Sequence, residues 1–142
     1  MIRNAIINDI DFIMNLEKGN IIHPWVMEDI KALVTVDNKV ALVCEKDGNV
    51  VGYVGYSFVL DEAEIGNLVV DKDYRRQGIA MEIMSVAIEN MRSIGIAQIF
   101  LEVEDTNESA INLYRKIGFE KYGSRKDYYG PSIGADLMKI VL

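Results

Sequence analysis

Apolar residues change their spacing repeatedly along this chain, and each change marks an element. In "NAIINDIDFIMNLEKGN", Ile7, Ile10, Ile13, Met14 and Leu16 recur at near-helical spacing, with Asn8 as the expected N-cap and Gly19 as the expected stop. A short strand at residues 2–5 precedes it, and "HPWVMEDIKALVTVDN" reads as a second helix entered through Pro24. The period then shortens. "KVALVCEKDGNVVGYVGYSFVLDEAEIGNLVVD" carries Val, Ile and Tyr runs interrupted by "KDGN" and "LDEAE", the pattern of a three-stranded antiparallel meander, with Asp-Gly as a hairpin turn.

From Arg75 to Ile94 the period is helical again. Ile79, Ile83, Val86, Ala87, Met91 and Ile94 form a stripe that Gly95 ends. "IAQIFLEVE" is a strand. In "NESAINLYRKIGF" Asn107 caps a short helix, Ala110, Leu113, Tyr114 and Ile117 line one face, and Gly118 followed by Phe119 fits a Schellman-type end. "FEKYGSRKDYY" and "GADLMKIVL" are two final strands around a loop. This order predicts an α/β domain with a mixed sheet. The strands on either side of helix 75–94 should run parallel through a right-handed crossover.

Composition narrows the class. With 142 residues, 50% apolar and 26% charged, the chain suits one domain around one hydrophobic core. No apolar run is long enough to span a bilayer, and "MIRNAIINDI" lacks the uninterrupted apolar segment of a signal peptide, so a cytoplasmic protein without membrane contact is expected. Cys44 is the one cysteine and sits in a strand-like run, which reads as a buried, inert thiol. His23 is the one histidine, read as a surface or capping residue, and no metal site is expected. A net charge of −7 argues against direct nucleic-acid binding and suits a cationic partner.

One stretch stands apart. "DYRRQGIAMEIM" joins a strand-like run to a helix through two arginines, a glutamine and a glycine. A helix N-terminus offers unpaired N–H groups and partial positive charge, which suits a phosphate. Gly78 lets the backbone approach an anion, Ala80 keeps the first turn open, and Arg75 and Arg76 add charge. Neither the GxxxxGK(S/T) nor the GxGxxG pattern is present. On its own the stretch also fits a capped surface helix with two solvated arginines.

The residues downstream add to it. R-x-x-G-x-A over Arg75 to Ala80, then "LEV" at 101–103, then N-x-x-A-x-x-L-Y at 107–114 and "GF" at 118–119 form an ordered constellation. It resembles the GCN5-related N-acetyltransferase (GNAT) superfamily, whose acetyl-CoA motif is Q/R-x-x-G-x-G/A. "HPW" at 23–25, "LDEA" at 60–63 and "YY" at 128–129 extend the resemblance, which is dense from residue 60 to 129. These pieces are most similar to the branch of bacterial enzymes that acetylate the N-terminal alanine of a small-subunit ribosomal protein.

The resemblance implies a single domain over residues 1–142 whose parallel middle strands splay to admit acetyl-CoA. Leu68, Val69 and Val70 would offer backbone groups to the pantetheine and thioester, a backbone N–H near Val70 serving as oxyanion donor. The amides of Arg76, Gln77, Gly78, Ile79, Ala80 and Met81 would hold the pyrophosphate, Arg75 would add cofactor-binding charge beside them, and Asn107 would bind from the next loop. Glu102 would be the base and Tyr114 the acid. Strand alternation by itself puts Phe100, Glu102 and Glu104 on one face and does not choose between the two glutamates. By periodicity alone, Tyr114 is equally a core residue. Tyr128 and Tyr129 read as a wall of the acceptor side or as loop anchors, and Trp25 as a groove or core residue.

The implied acceptor is the N-terminal alanine of a ribosomal protein. A small amine such as a polyamine or an aminoglycoside is the alternative acceptor, and a non-catalytic acetyl-CoA-binding regulatory module the alternative class.

Overall fold

A computed structural model of the chain describes residues 1–21 and 24–142, so the reading of His23 lies outside the described residues. The elements run β1 (Ile2–Asn4), α1 (Ile10–Asn20), α2 (Met27–Thr35), β2 (Lys39–Lys46), β3 (Asn49–Val59), β4 (Glu62–Val70), α3 (Ile79–Ser93), β5 (Gln98–Glu104), α4 (Glu108–Ile117), β6 (Glu120–Gly130) and β7 (Ile133–Val141). The strands form one seven-stranded sheet in the order β1-β2-β3-β4-β5-β7-β6. Every neighbouring pair is antiparallel except β4 and β5, which are parallel on either side of α3, as the crossover rule requires.

Turn chemistry fixes the meander. Asp47 and Gly48 both have positive φ, 53° and 79°, and join Lys46 to Asn49 in the two-residue turn that matches strand twist. Between β3 and β4 the register slips after Gly55, where Gly66 is the extra residue of a bulge. Helices cover both faces of the sheet. One core cluster joins α3 and α4 to Ala63, Ile65, Ile99, Leu101 and Val103. The other packs α1 and α2 on Ala41, Val43, Tyr53 and Val69. Cys44 is fully buried, as its strand context predicts.

Three helix boundaries differ from the sequence reading. Asn8 does not cap α1. A short 3-10 turn spans Ile7–Asp9, and the Asp9 carboxylate accepts two bonds from the Arg3 guanidinium, at 2.7 and 3.0 Å, and one from the Ile6 N–H at 2.8 Å. A bidentate ionic pair is about twice as strong as a neutral hydrogen bond, so Asp9 rather than Asn8 organises the turn. Gly19 does not stop α1, which runs on to Asn20 and ends where Ile21 turns extended. The third helix begins at Ile79 and not at Arg75, because Arg76 has a φ of 62° and Gly78 one of 77°, both outside the helical region.

Other ends match their signals. Asn107 caps α4 by accepting the Ala110 N–H at 3.2 Å. Gly118 and Phe119 close it, their N–H groups reaching the Arg115 and Tyr114 carbonyls at 3.0 and 2.9 Å.

Candidate active site

The site begins at a gap in the sheet. β4 and β5 pair only at Glu62–Gln98, Ala63–Ile99 and Glu64–Phe100, and beyond Glu64 they diverge. The Gly66 bulge lies just past the last pair, where it bends and twists β4. The Asp71 N–H bonds the Val51 carbonyl of β3 at 2.8 Å. Alternation along the strand therefore turns the peptide groups of Leu68 and Val70 away from β3, toward the gap. Val69 instead directs its backbone to β3 and buries its side chain beneath α1 and α2.

At the far end of the gap the chain turns into α3. Arg76 and Gly78, both left-handed, curl the backbone on either side of Gln77 into the kind of amide-lined concavity that holds anions. No side chain caps α3, so the N–H groups of Ile79, Ala80 and Met81 lack helical partners, and a Cβ built at Gly78 would meet nothing within 4 Å. Open space, unpaired donors and a helix dipole together fit a pyrophosphate. Arg75 is committed elsewhere. Its guanidinium donates to the Val70 carbonyl at 3.3 Å and to Asn20 Oδ1 at 3.2 Å, tying the end of β4 to α1. Asn107 spends its side-chain oxygen on the α4 cap, which leaves its amide N–H groups without a hydrogen-bond partner among the described residues.

Glu102 and Tyr114 approach from opposite sides of the sheet. Alternation on β5 buries Ile99, Leu101 and Val103 beneath α3 and α4 and turns Phe100, Glu102 and Glu104 to the other face. The two glutamates differ in their partners. Glu104 accepts from Thr106 Oγ1 at 2.9 Å, whereas Glu102 meets the Arg125 guanidinium at 3.4 Å and acts on Tyr128. Tyr114 packs its ring edge-on to Phe119, with 5.7 Å between centroids. Burial raises its pKa, and Tyr129 adds to the rise.

The β6–β7 end completes the cluster. Pairing jumps from Arg125–Ala135 to Gly130–Ile133, so residues 126–129 bulge out of the ladder. The Asp127 carboxylate clamps that bulge by accepting the Ser132 N–H at 2.7 Å. Tyr128 and Tyr129 stack edge-on at 4.9 Å, and the Arg125 guanidinium lies 4.3 Å from the Tyr128 ring centre. The interaction of its hydroxyl with Glu102 raises the Tyr128 pKa, with burial second. Burial and then Glu102 push that of Tyr129 up to about 12. Tyr129 thus shares an electrostatic neighbourhood with Glu102 and Tyr114, residues the chain separates widely.

One feature of this region was not picked out from the sequence. Glu17 is fully buried and holds the site's third wall. Its carboxylate accepts from the Tyr53 hydroxyl at 2.6 Å, Asn67 Nδ2 at 2.8 Å and the Trp25 N–H at 2.8 Å. Glu17 therefore fixes the approach to α2 against β4 just past the bulge, where a Cβ at Gly66 would lie 2.6 Å from the Trp25 ring. The available signal was spacing: Glu17 continues the Ile10, Ile13 stripe of α1, and a carboxylate on a buried face needs partners. Among the described residues, no cluster of three or more His, Cys, Asp or Glu is placed to hold a metal, and no helix is long and apolar enough to cross a membrane.

A parallel pair that diverges beside an amide-lined turn at a helix N-terminus is the architecture of an acyltransferase of the GNAT type. A profile of the acetyltransferase (GNAT) family matches residues 8–119, and the chain belongs to that family. The family's acetyl donor is acetyl-CoA. A protein of Bacillus subtilis (strain 168), provisionally named a ribosomal protein bS18-alanine N-acetyltransferase, is 33% identical over 130 residues, which span 90% of this chain and 85% of that one. The crystal structure of the ribosomal-protein-S18-alanine N-acetyltransferase from Escherichia coli superposes with a TM-score of 0.93 at 26% identity, covering 99% of this chain and 92% of that one. An aminoglycoside 6'-N-acetyltransferase complexed with coenzyme A shares the fold, at a TM-score of 0.88 and 16% identity over 99% of this chain and 96% of that one.

Proposed function

We propose that the chain transfers an acetyl group from acetyl-CoA to the α-amine of a protein that begins with alanine, ribosomal protein bS18 being the acceptor, in the cytoplasm. The similarity to the two alanine N-acetyltransferases supports the acceptor. The observation that supports the chemistry is the β4–β5 gap, paired only from Glu62 to Glu64 and lying beside the uncapped start of α3.

In this reading Leu68 and Val70 bind through their backbone groups, and the Val70 N–H stabilises charge on the acyl oxygen. The turn from Arg76 to Met81 holds the pyrophosphate, Gly78 giving it room, and Asn107 binds from the α4 side. Val69 and Arg75 contribute by holding β4 in place. When bound, acetyl-CoA supplies the activated acyl carbon and a sulfur leaving group.

An α-amine has a pKa near 7.7–8.0 and arrives protonated at pH 7. Glu102 attracts that ammonium and takes its proton, so that the nitrogen lone pair is free to form the new N–C bond as the C–S bond breaks. Tyr114 gives a proton to the departing sulfur. Its raised pKa keeps the hydroxyl protonated until that moment. The second proton of the acylated nitrogen is lost to solvent, from which the Tyr114 oxygen is reprotonated. Arg125 and Tyr128 hold the Glu102 carboxylate in position from β6.

The second reading, a small polycationic amine as acceptor, draws on the exposed Glu62 and Glu64 near Glu102. One assay separates the two. The protein is incubated with acetyl-CoA and peptides that differ only in a first residue of Ala, Ser or Met, or with a free polyamine or aminoglycoside. Products are read by mass spectrometry. Preference for the alanine peptide is expected; turnover of the free amines alone would replace the peptide reading.

A further inference from the structure

On the face of the sheet away from α3 and α4, a groove of about 380 Å³ runs from Glu102 toward the β3–β4 hairpin. Its walls carry three carboxylates, Glu62, Glu64 and Glu102, and two aromatic rings, Phe100 and Tyr122. The groove follows from the strand pattern: β4 turns Ala63 and Ile65 into the core and so presents Glu62 and Glu64 to the other face, beside Phe100 of β5. α1 and α2 pack on β2, β3 and the distal half of β4 and leave this region open. The proposed peptide transfer uses the groove only through Glu102.

The charges facing it are unevenly matched. Glu102 has Arg125 at 3.4 Å. Lys139, paired in register with Phe100, lies 5.6 Å from the Tyr122 ring centre, so that ring already accepts a cation. Among the described residues, neither Glu62 nor Glu64 has an ion-pair partner. Glu64 also adds to the negative field at Tyr128, which links the groove to the acceptor side of the site.

We infer that this groove receives a lysine or arginine side chain of the acceptor polypeptide, two to four residues beyond the reacting amine, and so makes the enzyme select basic N-terminal segments. The inference rests on the peptide-acceptor reading. Continuity sets the distance. Glu102 belongs to both the candidate active site and the groove, and the level of Glu62, which pairs with Gln98, is four residues back along β5. At roughly 3.3 Å per residue that is about 13 Å, the reach of a short extended segment. Charge complementarity sets the chemistry. Aromatic faces beside two unpaired carboxylates suit a cation with an aliphatic stem, and an acidic segment would meet like charge.

The test measures kcat/KM for alanine-initiated peptides identical except for Lys or Glu at positions 2–4. The Lys peptides should exceed the Glu peptides by at least about tenfold. That ratio should fall toward one in the Glu62→Gln, Glu64→Gln double variant and invert in Glu64→Lys. If the variants fold poorly, raising ionic strength with the unaltered protein should erode the ratio as the Debye length drops from about 10 Å at 0.1 M to about 3 Å at 1 M. Affinity of the same peptides for the CoA-loaded protein, read by fluorescence anisotropy, separates the two claims. Turnover without charge selection, or selection that survives both the variants and salt, overturns the groove and leaves peptide acetylation standing. Charge-selective binding that the variants abolish, without turnover, sustains the groove and removes the acceptor assignment.

Discussion

In the proposed transfer, Tyr114 joins packing and chemistry in one side chain. Its ring is in the core and its residue surface is 7% exposed, yet among the described residues its hydroxyl has no hydrogen-bond partner. A sealed, unpaired hydroxyl costs about 1–3 kcal/mol, and no side-chain polar atom of that kind occurs among the described residues, so the Tyr114 oxygen reaches an accessible edge. Tyr114→Phe removes the oxygen and keeps the ring. It should lower kcat by more than tenfold with little change in the dissociation constant for acetyl-CoA, read by steady-state kinetics and calorimetry. An unaltered kcat would remove Tyr114 from the acid role. The pH profile carries the sign of the shift. Because burial raises the Tyr114 pKa above the ordinary 10.0, the acid stays protonated through pH 10, and kcat should show no alkaline loss from this group between pH 7 and 10. A fall centred in that range would contradict the assignment.

At the scale of elements, one glycine sets how β4 leaves its neighbour. Gly66 is the bulged residue past the last β4–β5 pair, and the Trp25 ring rests against it. Gly66→Ala would put a methyl 2.6 Å from that ring, and the indole must move because Glu17 holds the Trp25 backbone. Overpacking of this kind costs about 1–3 kcal/mol. The chain has one tryptophan, so its intrinsic fluorescence reports the displacement directly. A shifted emission maximum and a lower denaturation midpoint are expected; an unchanged spectrum would mean that the bulge and the Trp25 wall are independent. The same scale explains the helix starts. α3 begins after two left-handed residues, and apolar periodicity from Ile79 onward does not reveal how far back the helix extends. α4 was legible at both ends because Asn107 and Gly118 act through local backbone bonds.

For the whole molecule, the ladders inside the sheet are long except between β4 and β5, which share three residue pairs, as many as the short edge strand β1 makes with β2. A ligand seated in the β4–β5 gap would bind only the folded arrangement and stabilise it by mass action, about 2.7 kcal/mol at a hundredfold excess over its dissociation constant. For a chain of this size that corresponds to a rise of roughly 5–10 °C in Tm with acetyl-CoA. Gly78→Val should largely abolish the rise. A Cβ at Gly78 meets no protein atom, so the loss would come from left-handed strain at a φ of 77° and from space taken at the anion site. An equal rise in the variant would move the pyrophosphate elsewhere.

The order of elements, the parallel pair flanking α3, the Asp47–Gly48 turn, the α4 caps and the buried Cys44 were all settled by the sequence itself. Each depends on period, on a turn residue or on a cap, and these act over a few neighbours. The Arg75-to-Ala80 stretch by itself fitted a phosphate site and a capped surface helix equally. What the sequence left open needed distance across the fold. Arg3 captured Asp9, overriding Asn8. Asn20 and the Val70 carbonyl drew in Arg75, and Thr106 and Arg125 drew the two glutamates of β5 to different partners. Glu17 is the clearest case. Its partners Tyr53 and Asn67 are 36 and 50 residues away, and only the stacking of α1 on β3 and β4 brings those polar groups within hydrogen-bond reach.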